Sequence, residues 1–235
     1  MLFRSCVSYL DANIGKVIAA LEEAGLRDDT LIVYTTDHGE NLGTRRLWGK
    51  NNMYEESAAI PMIVAGPGVP EGRVSTTPVT LIDIGPTVLE AIGHAETAKQ
   101  EKLPGQSLIQ LAKAPADPER VAFSEYYAAG ADRASFMIRK GKYKFITYVD
   151  YEPELFDLDQ DPEETHNLAQ EPAYAEVVRQ YDEILRGMVN PEALDEQAFR
   201  DQCALVEQCG GREKITAKGA IQGSPVPGEQ AEFMA

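Results

Sequence analysis

The chain has 235 residues, 43% hydrophobic and 8% aromatic, enough to form one large core or two small ones. Its 38 acidic and 22 basic side chains give a formal charge of −16, which argues against the basic stripe that nucleic-acid binding requires. No run approaches the ~20 apolar residues of a membrane span, and Met1-Leu2-Phe3-Arg4 enters a helical pattern without a signal region, so neither a membrane partner nor secretion is expected and a cytoplasmic location is.

Apolar residues at Val7, Leu10, Ile14, Val17, Ile18 and Leu21 predict an amphipathic helix that stops near Gly25. After the turn at Asp28-Asp29, the β-branched run 30–36 predicts a strand buried on both faces, with Asp37-His38-Gly39-Glu40 at its carboxyl end. In open parallel sheets that end is where ligand sites are built. A second buried strand is expected at 61–65, before Gly66-Pro67-Gly68. Between the two lies a long, polar loop from Glu40 to Ile60, and loops of that length in compact domains carry function or are disordered. Residues 80–93 predict a helix, or a pair broken at Gly85-Pro86, whose apolar face covers the sheet.

Residues 96–120 lack periodicity and read as a connection, with a boundary near Lys113. Four strand-like runs follow at 121–126, 135–139, 143–148 and 154–158, then a helix at 172–188 that would pack on the small antiparallel sheet they form. Three units are therefore expected: 1–112, 113–189, and a helical extension with tail at 190–235. Cys6, Cys203 and Cys209 match neither zinc spacing nor a disulfide framework and fit a reducing compartment or incidental buried thiols.

Taken alone, Asp37-His38-Gly39-Glu40 has two readings. It is a turn with a packed histidine, or it is a carboxylate and an imidazole aimed from a rigid strand at one divalent ion. The surrounding sequence bears on the choice. Thr35-Thr36-Asp37-His38-Gly39-Glu40, Leu47-Trp48-Gly49-Lys50, Met53-Tyr54-Glu55-Glu56-Ser57 and Pro61-Met62-Ile63-Val64 together resemble the C-terminal part of the sulfatase family, within the alkaline-phosphatase superfamily. Further similarity lies at Asp83-Ile84-Gly85-Pro86-Thr87, at 154–162 and at Asn167-Leu168. The Asp-His pair looks more like the phosphonate monoester hydrolase and choline-sulfatase branch than the arylsulfatases that carry Asp-Asn.

The resemblance implies an α/β fold: the C-terminal portion of an alkaline-phosphatase-like sheet sandwiched by helices, then a small antiparallel α+β subdomain. It implies that Asp37 and His38 are two ligands of one divalent metal ion, Ca2+ or Mn2+, and that Lys50 contacts the transferred group of a small-molecule sulfate, phosphonate or phosphate ester. Hydrolysis of such an ester places charge on nonbridging oxygens and on the departing alkoxide, and a cation with a lysine offsets both. Arg46 suits an oxyanion contact or a surface ion pair, and Glu55 and Glu56 could orient Lys50 or cap the approach to the second strand. The family's paired aspartates and its Cys/Ser-X-Pro-X-Arg segment, source of the formylglycine nucleophile, do not occur in these 235 residues. The chain therefore reads as part of a sulfuric ester hydrolase lacking the nucleophile-bearing half, or alternatively as a noncatalytic interaction module or subunit. An uncovered sheet edge is expected from such a part, and a homo-oligomer contact through the tail.

Overall fold

In a computed structural model the protein is described at residues 2–128, 130–217, 219–221 and 233–234. The long N-terminal helix α1 (Leu2–Glu23) follows the periodic pattern, and its axis ends in a Gly25 of positive φ. Strand β1 (Ile32–Thr35) pairs with β2 (Met62–Ala65) in antiparallel register, Ile32 opposite Ala65 and Thr35 opposite Met62. This corrects two expectations. The pair is antiparallel instead of parallel, and its residues are half-buried or exposed, with Ile63 at 58% exposure. Alongside them, a groove of about 330 Å3 between α1 and the pair is lined by Val7, Leu10, Ile14, Ile18, Tyr34 and Ile63.

Between β1 and β2 the long loop contains one helical turn, α2 (Glu55–Ala58). After β2, a 3-10 turn at 81–83 runs into α3 (Ile84–Ala91) without a break, because Pro86 falls in the first turn, where its missing N–H costs nothing. Asp83 is fully buried and anchors this corner. Its carboxylate accepts from the Thr80 and Gln106 backbone N–H groups at 2.9 and 2.8 Å and pairs with Arg120 at 2.7 Å. Thr87 bonds the Asp83 carbonyl at 2.6 Å and accepts from the Leu108 N–H at 2.8 Å. The stretch read as a structureless connection holds α4 (Ala95–Gln100) and α5 (Leu108–Lys113). The main packing partners of α3 are these two short helices, so it does not cover β1 and β2 as expected.

Strands β3 (Ala122–Tyr126), β4 (Ser135–Lys140), β5 (Tyr143–Tyr148) and β6 (Glu154–Asp157) form an antiparallel meander in sequential order. Alternation sends its side chains to two faces. On one face Phe136, Ile138, Phe145 and Leu155 pack against Tyr181 and Leu185 of α6 (Ala175–Met188). On the other, Met137, Ile146 and Phe156 pack against Met53, Tyr54 and Ala58 from the loop that contains α2. Asn167 closes the β6 side by accepting from the Leu155 and Ala169 N–H groups at 3.0 and 2.9 Å.

Helix α7 (Pro191–Gln208) is capped by Asn190 and touches the body through Pro191 and Asp195, and α8 (Arg212–Ala217) follows it. Residues 220–221 pair with 233–234 as β7 and β8. Within the tail expected to make an oligomer contact, 190–235, residues 218, 222–232 and 235 lie outside the described residues. The three cysteines are free and exposed, which corrects the expectation of buried thiols. Among the described residues no helix is long and apolar enough to cross a membrane.

Exposed Val7, Leu10, Val17 and Ile63 leave an open apolar surface along α1 and β2. The isolated chain is expected to self-associate at micromolar concentration, and Val17→Glu combined with Ile63→Lys to lower its weight-average mass in analytical ultracentrifugation. An unchanged mass would show that this face does not drive association.

Candidate active site

β1 ends at Thr35, and the next turn is tied by its own side chains. The Asp37 carboxylate accepts from the Thr36 hydroxyl at 3.2 Å and from the His38 N–H at 3.0 Å. Partial desolvation, which alone would raise the Asp37 pKa, is outweighed by these bonds and by one from its own N–H, so the carboxyl is held below the ordinary carboxylate value. His38 Nδ1 lies 2.8 Å from the Gly39 carbonyl. A carbonyl only accepts, so Nδ1 carries the proton and Nε2 presents a lone pair.

That lone pair faces two groups. Asp37 Oδ2 lies 3.3 Å from Nε2, and the Lys50 ammonium, twelve positions along the chain, donates to the same nitrogen. With the imidazole proton on Nδ1, no hydrogen lies between Nε2 and the carboxylate oxygen. Two lone-pair atoms so placed are favourable only with a cation near them, and in this structure the Lys50 ammonium is that cation. The three residues singled out in the sequence are thus brought together.

Their positions are set by backbone bonds to α2. The Gly39 and Glu40 N–H groups donate to the Ser57 and Glu56 carbonyls, both at 2.8 Å. A Cβ on Gly39 would collide with the Glu56 carbonyl, which is why glycine stands here. The Ser57 hydroxyl donates to the Lys50 carbonyl at 2.5 Å, and Gly49 is held by the Glu40 carboxylate at 2.5 Å and the Asn41 N–H at 2.9 Å. Between these staples, Leu42, Arg45 and Arg46 adopt positive φ. Each such non-glycine residue costs about 1 kcal/mol or more and persists only where its surroundings enforce it. Arg45 is so enforced. It pairs with Glu56 at 2.5 Å, donates to the Glu163 carbonyl and lies 4.4 Å over the Tyr54 ring.

Three minor expectations change here. The ion pairs of this loop belong to Arg45, while Arg46 is exposed. Glu56 pairs with Arg45, and Glu55 with Lys144 at 2.9 Å and Arg139 at 3.6 Å, so neither glutamate orients Lys50 through its carboxylate. α2 reaches Lys50 through the Ser57 hydroxyl instead.

An aspartate oxygen and an imidazole nitrogen aimed at one point, with that nitrogen's tautomer fixed by a carbonyl, fit part of the coordination shell of a divalent ion. They do not fit a whole one. Among the described residues no group of three or more His, Cys, Asp or Glu side chains is placed to hold a metal.

Comparison with known proteins bears on this arrangement. Residues 3–94, which contain Asp37, His38 and Lys50, match the sulfatase family model. Arylsulfatase K of Danio rerio is 34% identical over 198 residues, 81% of this chain and 37% of that protein, and choline-sulfatase of Rhizobium meliloti (strain 1021) is 39% identical over 200 residues, 84% and 35%. The chain belongs to the sulfatase family. Its fold agrees with that of a phosphonate monoester hydrolase from Silicibacter pomeroyi, with a TM-score of 0.63 and 34% identity over 75% of this chain and 38% of that one. These neighbours place the fold in the α/β, alkaline-phosphatase-like class inferred from the sequence. The chain spans little more than a third of the length of the curated relatives it matches.

Gly39→Ala is expected to destabilise the chain by about 1–3 kcal/mol through local overpacking. The check is a denaturant midpoint, with hydrogen exchange at Glu40 and Asn41 reporting whether the strain is local. Wild-type stability and protection would show that the Gly39 and Ser57 backbones do not meet in solution.

Proposed function

We propose that the chain supplies two metal ligands, Asp37 and His38, and a leaving-group lysine, Lys50, to a sulfatase-family hydrolase of small-molecule sulfate esters whose nucleophile lies on a further segment. The observation that supports this reading is the convergence of Asp37 Oδ2 and the Lys50 ammonium on the unprotonated His38 Nε2.

Each residue has a task that follows from its atoms. Asp37, ionised and largely exposed, offers a carboxylate oxygen to the coordination sphere, and His38 offers the Nε2 lone pair. The Gly39 carbonyl keeps that nitrogen unprotonated by holding the imidazole proton on the opposite side. A bound divalent ion would supply Lewis-acid charge at the ester oxygens. Lys50 is held through its own carbonyl, which leaves the four-carbon stem to carry the ammonium to the ester. It steadies negative charge on the departing oxygen and can hand that oxygen a proton.

Sulfate esters are the first expectation, and the likeness to a phosphonate monoester hydrolase supports phosphonate monoesters as a second substrate class. Purified alone, the chain is expected to release no product from an aryl sulfate or a phosphonate monoester. Supplied with a family segment bearing Cys/Ser-X-Pro-X-Arg it should turn over, and Lys50→Ala should then lower kcat by about 10²–10³-fold, the cost of losing one preorganised charge-stabilising group. Full-rate turnover by the chain alone, or an unaffected Lys50→Ala, would overturn this reading.

A further inference from the structure

The face of β5 that meets the site loop carries Ile146, Tyr148 and Lys144, with Arg139 of β4 and Phe156 of β6 opposite Lys144 on either side. Lys144 is fully buried, and its ammonium lies 2.9 Å from Glu55 Oε1 and 2.8 Å from Glu164 Oε1. The Glu164 side chain is also fully buried, and its other oxygen accepts from the Glu55 backbone N–H at 2.7 Å. Burial pushes the Glu164 carboxyl up, against opposing bonds from Lys144 and Glu55.

A buried ammonium clamped by two carboxylates is a poor source of stability. Its desolvation cost rivals its Coulombic gain, and a well-packed apolar residue of similar volume often does as well. What such a cluster provides is a fixed geometry. Here both carboxylates belong to the anchoring of α2: Glu55 is its first residue, and Glu164 satisfies that residue's N–H. The next two residues, Glu56 and Ser57, hold Gly39 and Glu40 by their carbonyls and Lys50 by the Ser57 hydroxyl. A continuous path of charge-assisted and backbone bonds therefore runs from β5 to both halves of the site. Immediately before α2, Tyr54 donates to Glu154 of β6 at 2.8 Å, a second tie to the sheet.

We propose that Lys144 is a positioning residue: from β5 it sets α2 through Glu55 and Glu164, and α2 in turn fixes the His38 tautomer and the Lys50 loop. This makes the second sheet a working part of the site. The inference rests on the proposed roles of His38 and Lys50, but its test uses no turnover, so a chain that proves inactive toward sulfate esters leaves the test intact.

The test is nitrogen-15 NMR of the full chain as wild type, Lys144→Arg and Lys144→Met. His38, His94 and His166 are the three histidines, so their ring signals are separable. In Lys144→Met, His38 should lose its Nδ1–H signature while the His94 ring spectrum is unchanged, and amide exchange at Gly39, Glu40 and Asn41 should speed up at least tenfold. Amides of the β4 and β5 ladder, such as Ile138 opposite Phe145, should be unchanged. Lys144→Arg, which retains the charge, should stay close to wild type. In Lys144→Met both carboxylates lose their nearest cation and keep only Arg139 beside Glu55 and Arg45 beside Glu164, each at 3.6 Å, so Lys144→Met/Glu164→Gln, closer to charge balance, carries the same test where the single variant does not fold. An unchanged His38 spectrum in a folded variant would overturn the proposal, and so would a loss of protection that is uniform across site and ladder in both variants.

Discussion

Both faces of the β3–β6 sheet must be covered, and that constraint organises the chain. α6 covers one face through Tyr181 and Leu185, and the loop before β2 covers the other through Met53, Tyr54 and Ala58. The second cover brings the site into being. A loop with three non-glycine residues at positive φ would not keep one conformation by itself. Seated by the 3%-exposed Met53 and stapled through α2, it presents Lys50 to His38. Packing on a sheet distant in sequence thus becomes a distance between two side chains at the end of β1.

The electrostatics follow the same layout. The bulk charge of −16 does not by itself make a cation site. At the site the relevant features are local: an imidazole whose proton is turned away, a carboxylate held ionised by three N–H and O–H donors, and an ammonium that donates to the imidazole. Behind them stands a second set of paired charges, Arg45 with Glu56 and Lys144 with Glu55 and Glu164, that is buried or half-buried and leaves the exposed ions at the front.

Much of this was legible in the sequence. The strand-like runs at 121–126, 135–139, 143–148 and 154–158 pointed to the small antiparallel sheet, and the apolar rhythm pointed to α1 and α6. Asp37, His38 and Lys50 were legible because their flanks resemble a family. The direction of β1 against β2 was not, since short apolar runs carry no sign of the partner's orientation. Four-residue α2 lies below the length at which periodicity speaks, and α4 and α5 are only six residues each. Lys144 reads as solvated on composition, yet its position two residues before Ile146 puts it on an apolar face. The signal was present, but its meaning depended on Glu55, 89 residues earlier.

The proposed site requires Asp37 and His38 to be ligands of one cation. Paramagnetic line broadening by Mn2+, titrated into the isotope-labelled chain, tests that directly. Two ligands should bind weakly, in the millimolar range or above, yet broaden His38 and Asp37 before His94 or His166, and Asp37→Asn should abolish the preference. Broadening spread over the acidic surface with no preference for His38, or tight stoichiometric binding elsewhere, would contradict it.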